Sequence, residues 1–371
     1  MRGLKLLSCL TVLFVLFGAA PALEPALAQQ AQQAEGEPGG PVAGNVPGGS
    51  LGNSSDSEMW RAIRKGGQFG VSIPDQQSAV MVQSEGDLWR LVRNGPIMIY
   101  GGAAILGMFV LLGIFYLFRG RIRVEHGMSG RTIERFNGFE RAIHWMVAVS
   151  FILLAITGAN HLWGKYTLLP ILGPEIFATF SLWAKYAHNF LAFPFMIGIV
   201  VMFVMWVVYN IPNKYDLIWL SKAGGLFTKG SHPPSKRFNA GQKLIFWSVV
   251  LGGLSLSLSG IAMLFPFQTD MWAKTFGVLQ SIGFNVPDPA SVTPMMEMQL
   301  STLWHVVVSV VMIAIILAHI YIGSMGMEGA FDAMGSGQVD VNWAREHHDL
   351  WVKEVEEAET GSPPTQAQPA E

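Results

Sequence analysis

Cysteine is almost absent from this chain: there is one, Cys9, in 371 residues. It lies near the amino terminus, ahead of an apolar run over residues 10–17, which is the wrong place for a lipid-attachment cysteine. Disulfides, iron–sulfur clusters and covalently attached c-type haem all need more cysteine than this and are excluded. Any redox group in the chain must therefore be held by histidine. Charge is scarce as well. Only 13% of the residues are charged, against about 25% in soluble domains, which points to a membrane. The net charge of −2 builds no field of one sign, so nucleic-acid binding and a polybasic surface anchor are not supported.

The amino end carries Arg2 and Lys5, then the apolar run, then Ala26, Leu27 and Ala28. This pattern predicts a cleaved export signal over 1–28, because about eight to twelve apolar residues cannot span roughly 30 Å of hydrocarbon. Residues 29–56 are rich in Gln, Ala, Gly, Pro and Ser and read as a disordered exported linker. Residues 57–95, with Trp60, Phe69, Val80, Val82 and Trp89, suit a small extramembrane segment with one or two short strands. It is too small to hold a core of its own.

Five long apolar segments follow, at about 97–118, 142–160, 186–209, 244–265 and 302–324, each near the length of a spanning helix. Asn160 and His161 interrupt the second. Basic residues set the orientation. Arg119, Arg121, Arg123, Arg131, Arg135 and Arg141 follow the first span; Lys214, Lys222, Lys229, Lys236, Arg237 and Lys243 separate the third from the fourth. Those connections are expected in the cytoplasm, which places the mature amino end in the periplasm and the carboxyl end in the cytoplasm of a bacterial inner membrane. The predicted fold is an all-α transmembrane helix bundle. One additional helix over 96–120 precedes a four-helix domain over 135–326, and a cytoplasmic tail occupies 327–371.

Nine histidines are present, and four of them, His144, His188, His305 and His319, lie within spans or at their ends. Ligating residues are costly in hydrocarbon and default to functional candidates. His305 and His319 are fourteen residues apart on one helix, which is about 21 Å of rise with both side chains within about 40° of one direction. Because neighbouring spans alternate in direction, His144 and His319 share the cytoplasmic level, and His188 and His305 the outer one. Two bis-histidine sites would each hold a b-type haem with both axial positions filled, suited to passing electrons and not to binding ligands. His161 is the second candidate at the outer level. His126 and His232 read as solvated loop residues, and His347 and His348 as part of an amphipathic tail helix. The competing class is a haem-free transporter or structural anchor using histidine for protons or helix packing; transporters often show internal repeats, and none is visible here.

Arg141 lies one helical turn before His144 and is equally a haem-propionate partner or a positive-inside anchor. Gly252, Gly253, Ser255, Ser257, Ser259 and Gly260 form a small-residue stretch suited to close helix packing. Asn239, Gly241 and Gln242 open the fourth span at the level of His144 and His319. They fit a hydrogen-bonding site for quinone carbonyls, and equally a helix start capped by Asn239.

These strings resemble the cytochrome b (gamma) subunit of membrane-bound respiratory formate dehydrogenases. The resemblance rests on Arg141-Ala142-Ile143-His144-Trp145, Ala187-His188-Asn189-Phe190, Asn210-Ile211-Pro212-Asn213-Lys214, Phe238-Asn239-Ala240-Gly241-Gln242-Lys243, the spacing of His305 and His319, and the tail from Trp343 through His347 and His348 to Trp351. It covers roughly residues 135–357. It implies a four-helix bundle with two b haems, ligated by His188 with His305 and by His144 with His319. It also implies a site for menaquinone or ubiquinone lined by Asn239, Gly241 and Gln242. The implied partners are an iron–sulfur (beta) subunit and a molybdopterin-containing catalytic (alpha) subunit, which supply electrons from formate. The cytochrome b subunit of a nickel–iron hydrogenase or of a sulfur-compound reductase is the near alternative. The long front, with Trp89-Arg90-Leu91-Val92-Arg93-Asn94-Gly95-Pro96 leading into the first span, resembles the long-form members.

Overall fold

A computed structural model describes residues 64–65, 86–228 and 230–360. The expected export signal, the linker and most of the 57–95 segment lie outside these residues. Among the described residues, five helices are long and apolar enough to cross a membrane. The long helices are α1 (Met98–Arg119), α2 (Gly138–Thr167), α3 (Leu169–Trp206), α4 (Ala240–Leu264) and α5 (Pro294–Tyr321). Before the first span the described residues are helical from Gly86, with a π turn at Arg93–Ile97 that contains Pro96; the positions expected to form short strands, Phe69, Val80 and Val82 among them, lie outside the described residues. Proline has no N–H to donate, and widening the turn accommodates its ring.

α2 begins where a sequence-encoded cap allows it. Asn137 Oδ1 accepts from Glu140 N at 3.0 Å, and Glu140 Oε2 accepts from Asn137 N at 3.0 Å, a reciprocal capping box. The helix continues through Asn160 and His161, where an interruption was expected, because Asn160 Nδ2 finds Ser181 Oγ on α3 at 3.1 Å. α3 likewise starts earlier than residue 186, and its first turns bend at Gly173, whose φ of 74° precedes Pro174.

The chain packs as two compact units. The larger comprises Pro96–Leu258 and Trp304–Glu371; the smaller includes Ser259–Leu303 and the described residues before Pro96. In the larger unit, Val147 and Phe151 of α2, Phe195, Ile199 and Trp206 of α3, Phe246 and Val250 of α4 and Met312 of α5 are buried together. The small-residue stretch of α4 permits this. A Cβ at Gly252 would run into Met312, and one at Gly253 would meet Ile199 Cδ1 at 2.9 Å. Trp163 Nε1 of α2 donates to the carbonyl of Met98 on α1 at 3.0 Å. Much of the rest of α1, including Leu106, Val110, Leu117 and Phe118, is exposed, as a lipid-facing helix requires.

The tail is built into the larger unit. β1 (Thr132–Glu134) pairs antiparallel with β2 (Gln338–Asp340), setting Ile133 opposite Val339. Asp340 then caps α6 (Val341–His347) by accepting from Asn342 N at 2.8 Å. α7 (Asp349–Thr360) follows, with Trp351 and Val352 buried. In the smaller unit, the buried Glu297 carboxylate accepts from Trp272 N at 2.9 Å and Ala273 N at 2.8 Å, capping the short helix Met271–Ser281. That contact accounts for an acid in the first turn of α5.

Candidate haem-binding site

The four span histidines stand as two pairs in the larger unit. His144, near the start of α2, lies against His319, near the end of α5, with ring centres 6.2 Å apart and planes at 62°. His188 of α3 lies against His305 of α5, also at 6.2 Å and 62°. A metal–imidazole bond is about 2 Å and the ring centre lies about 1 Å behind its nitrogen, so two imidazoles on opposite sides of one metal hold their centres roughly 6 Å apart. Both pairs have that separation.

Among the described residues, no group of three or more His, Cys, Asp or Glu is placed to hold a metal ion. A pair of imidazoles suits a metal that arrives with its other ligands in place, as haem iron does. All four rings are half-buried, and the Nδ1 of His144 is buried without a hydrogen-bond partner.

The surroundings of the pairs differ. Thr157 Oγ1 on α2 lies 2.9 Å from His188 Nδ1, and Gly158 lets the ring approach, since a Cβ there would meet His188 Cε1 at 3.4 Å. His305 makes a hydrogen bond to the backbone of Leu256. His161 also stands beside His188, with ring centres 6.1 Å apart and planes at 82°. It is exposed on the surface of α2, whereas His305 is half-buried.

Arg141 donates from Nη1 to the carbonyl of Gly335 at 2.5 Å, while its Nε is buried without a partner. Asn239 and Gln242 form a reciprocal cap at the start of α4: Gln242 N donates to Asn239 Oδ1 at 2.9 Å, and Asn239 N to Gln242 Oε1 at 3.1 Å. The cap uses the side-chain oxygens and leaves both amide N–H groups outside it. Gly241 is needed for close approach, because a Cβ would meet Trp219 Cη2 at 2.7 Å.

Three residues stand differently from expectation. His126 Nδ1 and His232 Nε2 are not merely solvated; they pair with Glu346 Oε1 at 3.0 Å and Glu125 Oε2 at 3.2 Å. His348 ends up between α6 and α7, 1% exposed. Its Nε2 faces Arg135 Nη2 at 3.0 Å and its Nδ1 faces the carbonyl of Lys236 at 2.8 Å. Burial first, and the Arg135 charge second, push this imidazole well below the usual histidine range. Arg135 is pushed down to about 9 by burial and by the neighbouring Arg237, and remains charged at neutral pH. It is ringed by Phe136, Trp343 and Trp351, with its guanidinium carbon 5.3, 5.6 and 5.0 Å from their centres. The only sequence signal for this network was the pairing of adjacent histidines with tryptophans in the tail.

Several known proteins are similar to this chain over its helical part. The chain is 28% identical over 233 residues to the cytochrome b556(Fdn) subunit of the nitrate-inducible formate dehydrogenase of Escherichia coli, covering 62% of this chain and 95% of that protein. It is 27% identical over 226 residues to the formate dehydrogenase cytochrome b556(fdo) subunit of the same organism, covering 60% and 93%. It is 26% identical over 218 residues to the formate dehydrogenase cytochrome b556 subunit of Haemophilus influenzae, covering 58% and 79%. The family described as prokaryotic cytochrome b561 matches residues 135–337, a stretch that holds all four paired histidines. With more than half its length matched, and with helices and histidine pairs suited to haem iron, the chain belongs to the prokaryotic cytochrome b561 family of membrane b-type cytochromes.

Proposed function

We propose that this chain is the membrane-anchoring dihaem cytochrome b subunit of a formate dehydrogenase, passing electrons from an iron–sulfur subunit to quinone. The observation that carries the reading is the repeat of one geometry, 6.2 Å and 62°, in two histidine pairs joined by a single helix, α5. The names of the relatives supply the donor. When bound, each b haem supplies a one-electron iron couple with no open coordination position.

His188 and His305 would hold the outer haem and His144 and His319 the inner one, with about 21 Å of helix rise between His305 and His319. Arg141, with its Nε unpartnered, is suited to a propionate of the inner haem. Asn239, Gly241 and Gln242 would line the quinone site, the amide N–H groups outside the cap donating to a quinone oxygen. The basic connections support an orientation with the inner pair at the cytoplasmic face and the mature amino end in the periplasm. Inward movement of one electron against 100 mV of membrane potential stores about 2.3 kcal/mol. The partners would be an iron–sulfur subunit and a molybdopterin-containing catalytic subunit.

The test is a haem-to-protein ratio on the purified chain, expected near two, with His144→Ala and His188→Ala each losing one haem. A ratio near one overturns the two-site assignment. Formate added to membranes is expected to reduce the haems. Reduction by hydrogen and not by formate would move the chain to a hydrogenase.

A further inference from the structure

We infer that Thr157 is a positioning residue for His188: it fixes the ring's tautomer and lowers the reduction potential of the outer haem relative to the inner. The inference rests on the assignment of His188 as an iron ligand.

The argument is one of hydrogen-bond accounting. Thr157 Oγ1 lies 2.7 Å from the carbonyl of Leu153, 3.1 Å from that of Leu154 and 2.9 Å from His188 Nδ1. A hydroxyl has one proton to donate and two lone pairs, and a carbonyl only accepts. The Thr157 proton is therefore committed to the main chain of its own helix, as threonine in a helix commonly arranges. The only hydrogen bond left between Thr157 and His188 is one in which Nδ1–H donates to Oγ1. With the proton on Nδ1, the lone pair is on Nε2, the nitrogen then available to a metal.

The counterpart in the other pair has no such support. His144 Nδ1 is buried without a hydrogen-bond partner, although its pair has the same separation and tilt. A hydrogen bond accepted from the far nitrogen of a ligating imidazole raises the basicity of the ligand. A more basic ligand favours ferric over ferrous iron. His305 makes a backbone hydrogen bond at Leu256 as well, so each ring of the outer pair has a hydrogen-bond partner. The asymmetry lowers the outer potential and makes inward electron transfer favourable. Thr157 accomplishes this from α2, which contributes no ligand to the outer pair.

The test uses the haem-loaded full chain and three variants: Thr157→Val, which keeps the shape and removes the hydroxyl; Thr157→Ser, which restores it; and His188→Ala as the reference. The readouts are a redox titration of the reduced-haem absorption bands and the low-spin ferric electron paramagnetic resonance spectrum. Expected is an upward shift in the midpoint potential of one haem only in the Val variant, with a displaced highest g value for that haem, and a return to the native values in the Ser variant. Loss of one haem in the Val variant but not in the Ser variant also supports the role. Unchanged potentials and spectra in Thr157→Val, or equal disruption by Val and Ser, overturn it. If His188→Ala retains both haems, the ligand assignment itself falls, whatever the Thr157 variants do.

Discussion

Arg135 donates a hydrogen bond from Nη2 to Nε2 of His348 across 3.0 Å, joining the residue just after β1 to the junction of two tail helices. Both side chains are almost completely buried. Because Arg135 can only donate, Nε2 must accept, and the ring proton sits on Nδ1, facing the carbonyl of Lys236 at 2.8 Å. His348 is therefore a neutral imidazole with both nitrogens used, and it fastens the tail to the loop before α4.

His348→Ala is expected to destabilise the tail by about 1–3 kcal/mol, the cost of leaving buried hydrogen-bonding groups unsatisfied. Limited proteolysis in detergent checks this: cleavage in α6 or α7 should accelerate in the variant, and equal rates would contradict it.

Acid should release the same segment. Burial holds His347 down to about 4, with Glu346 raising it and His232 and Arg135 lowering it, and His348 lies lower than usual for the causes given above. The unfolded histidine titrates near about 6.5. A histidine whose folded pKa is depressed binds more protons when unfolded, so its contribution is fully present above that value and is lost as pH falls toward 4. Tail proteolysis should be slow at about pH 7 and rise between about pH 6 and 4. A flat profile would show that the two histidines are not the determinant.

Glu140 joins three elements. Its Oε1 accepts from Trp206 Nε1 and from Arg237 Nη2, each at 2.8 Å, while Oε2 closes the cap on Asn137. Removing one partner of a buried pair costs about 3–5 kcal/mol because the other charge is stranded. Glu140→Ala should lower the thermal midpoint far more than Lys236→Ala, whose ion pair with Glu354 is half-exposed and is worth roughly 0–1 kcal/mol.

Gly252 allows α4 and α5 to approach, since the space for a Cβ is filled by Met312, which is 3% exposed. Gly252→Ala is expected to cost about 1–3 kcal/mol by overpacking. Met312→Ala in the same chain should recover part of that loss. Additive destabilisation in the double variant would show that the two positions do not share the space.

Much of the architecture was legible because hydrophobic runs of spanning length are a local property. The five spans, the cap at Asn239 and the small-residue face of α4 all depend on neighbours within a few residues. The ends of the spans were less legible. Asn160 and His161 look like a break in a hydropathy pattern, yet a hydrogen bond from Asn160 to Ser181 on the next helix lets α2 run on.

What the sequence determined by itself is the inventory: no cysteine beyond Cys9, five apolar spans, and two histidines fourteen residues apart on one helix. Spacing along a helix follows from its fixed rise and twist, so those two side chains were bound to lie near opposite ends of one face. Alternating span direction had already matched His144 with His319 and His188 with His305 by level; the tertiary structure alone decided that the rings of each pair stand 6.2 Å apart, that His161 also comes within 6.1 Å of His188, that Thr157 meets Nδ1 from another helix, and that His348 is buried on Arg135. Each of these is a contact between separate elements, set by how helices pack and which polar groups must be satisfied once water is excluded, and that information is not carried by the periodicity of any one segment.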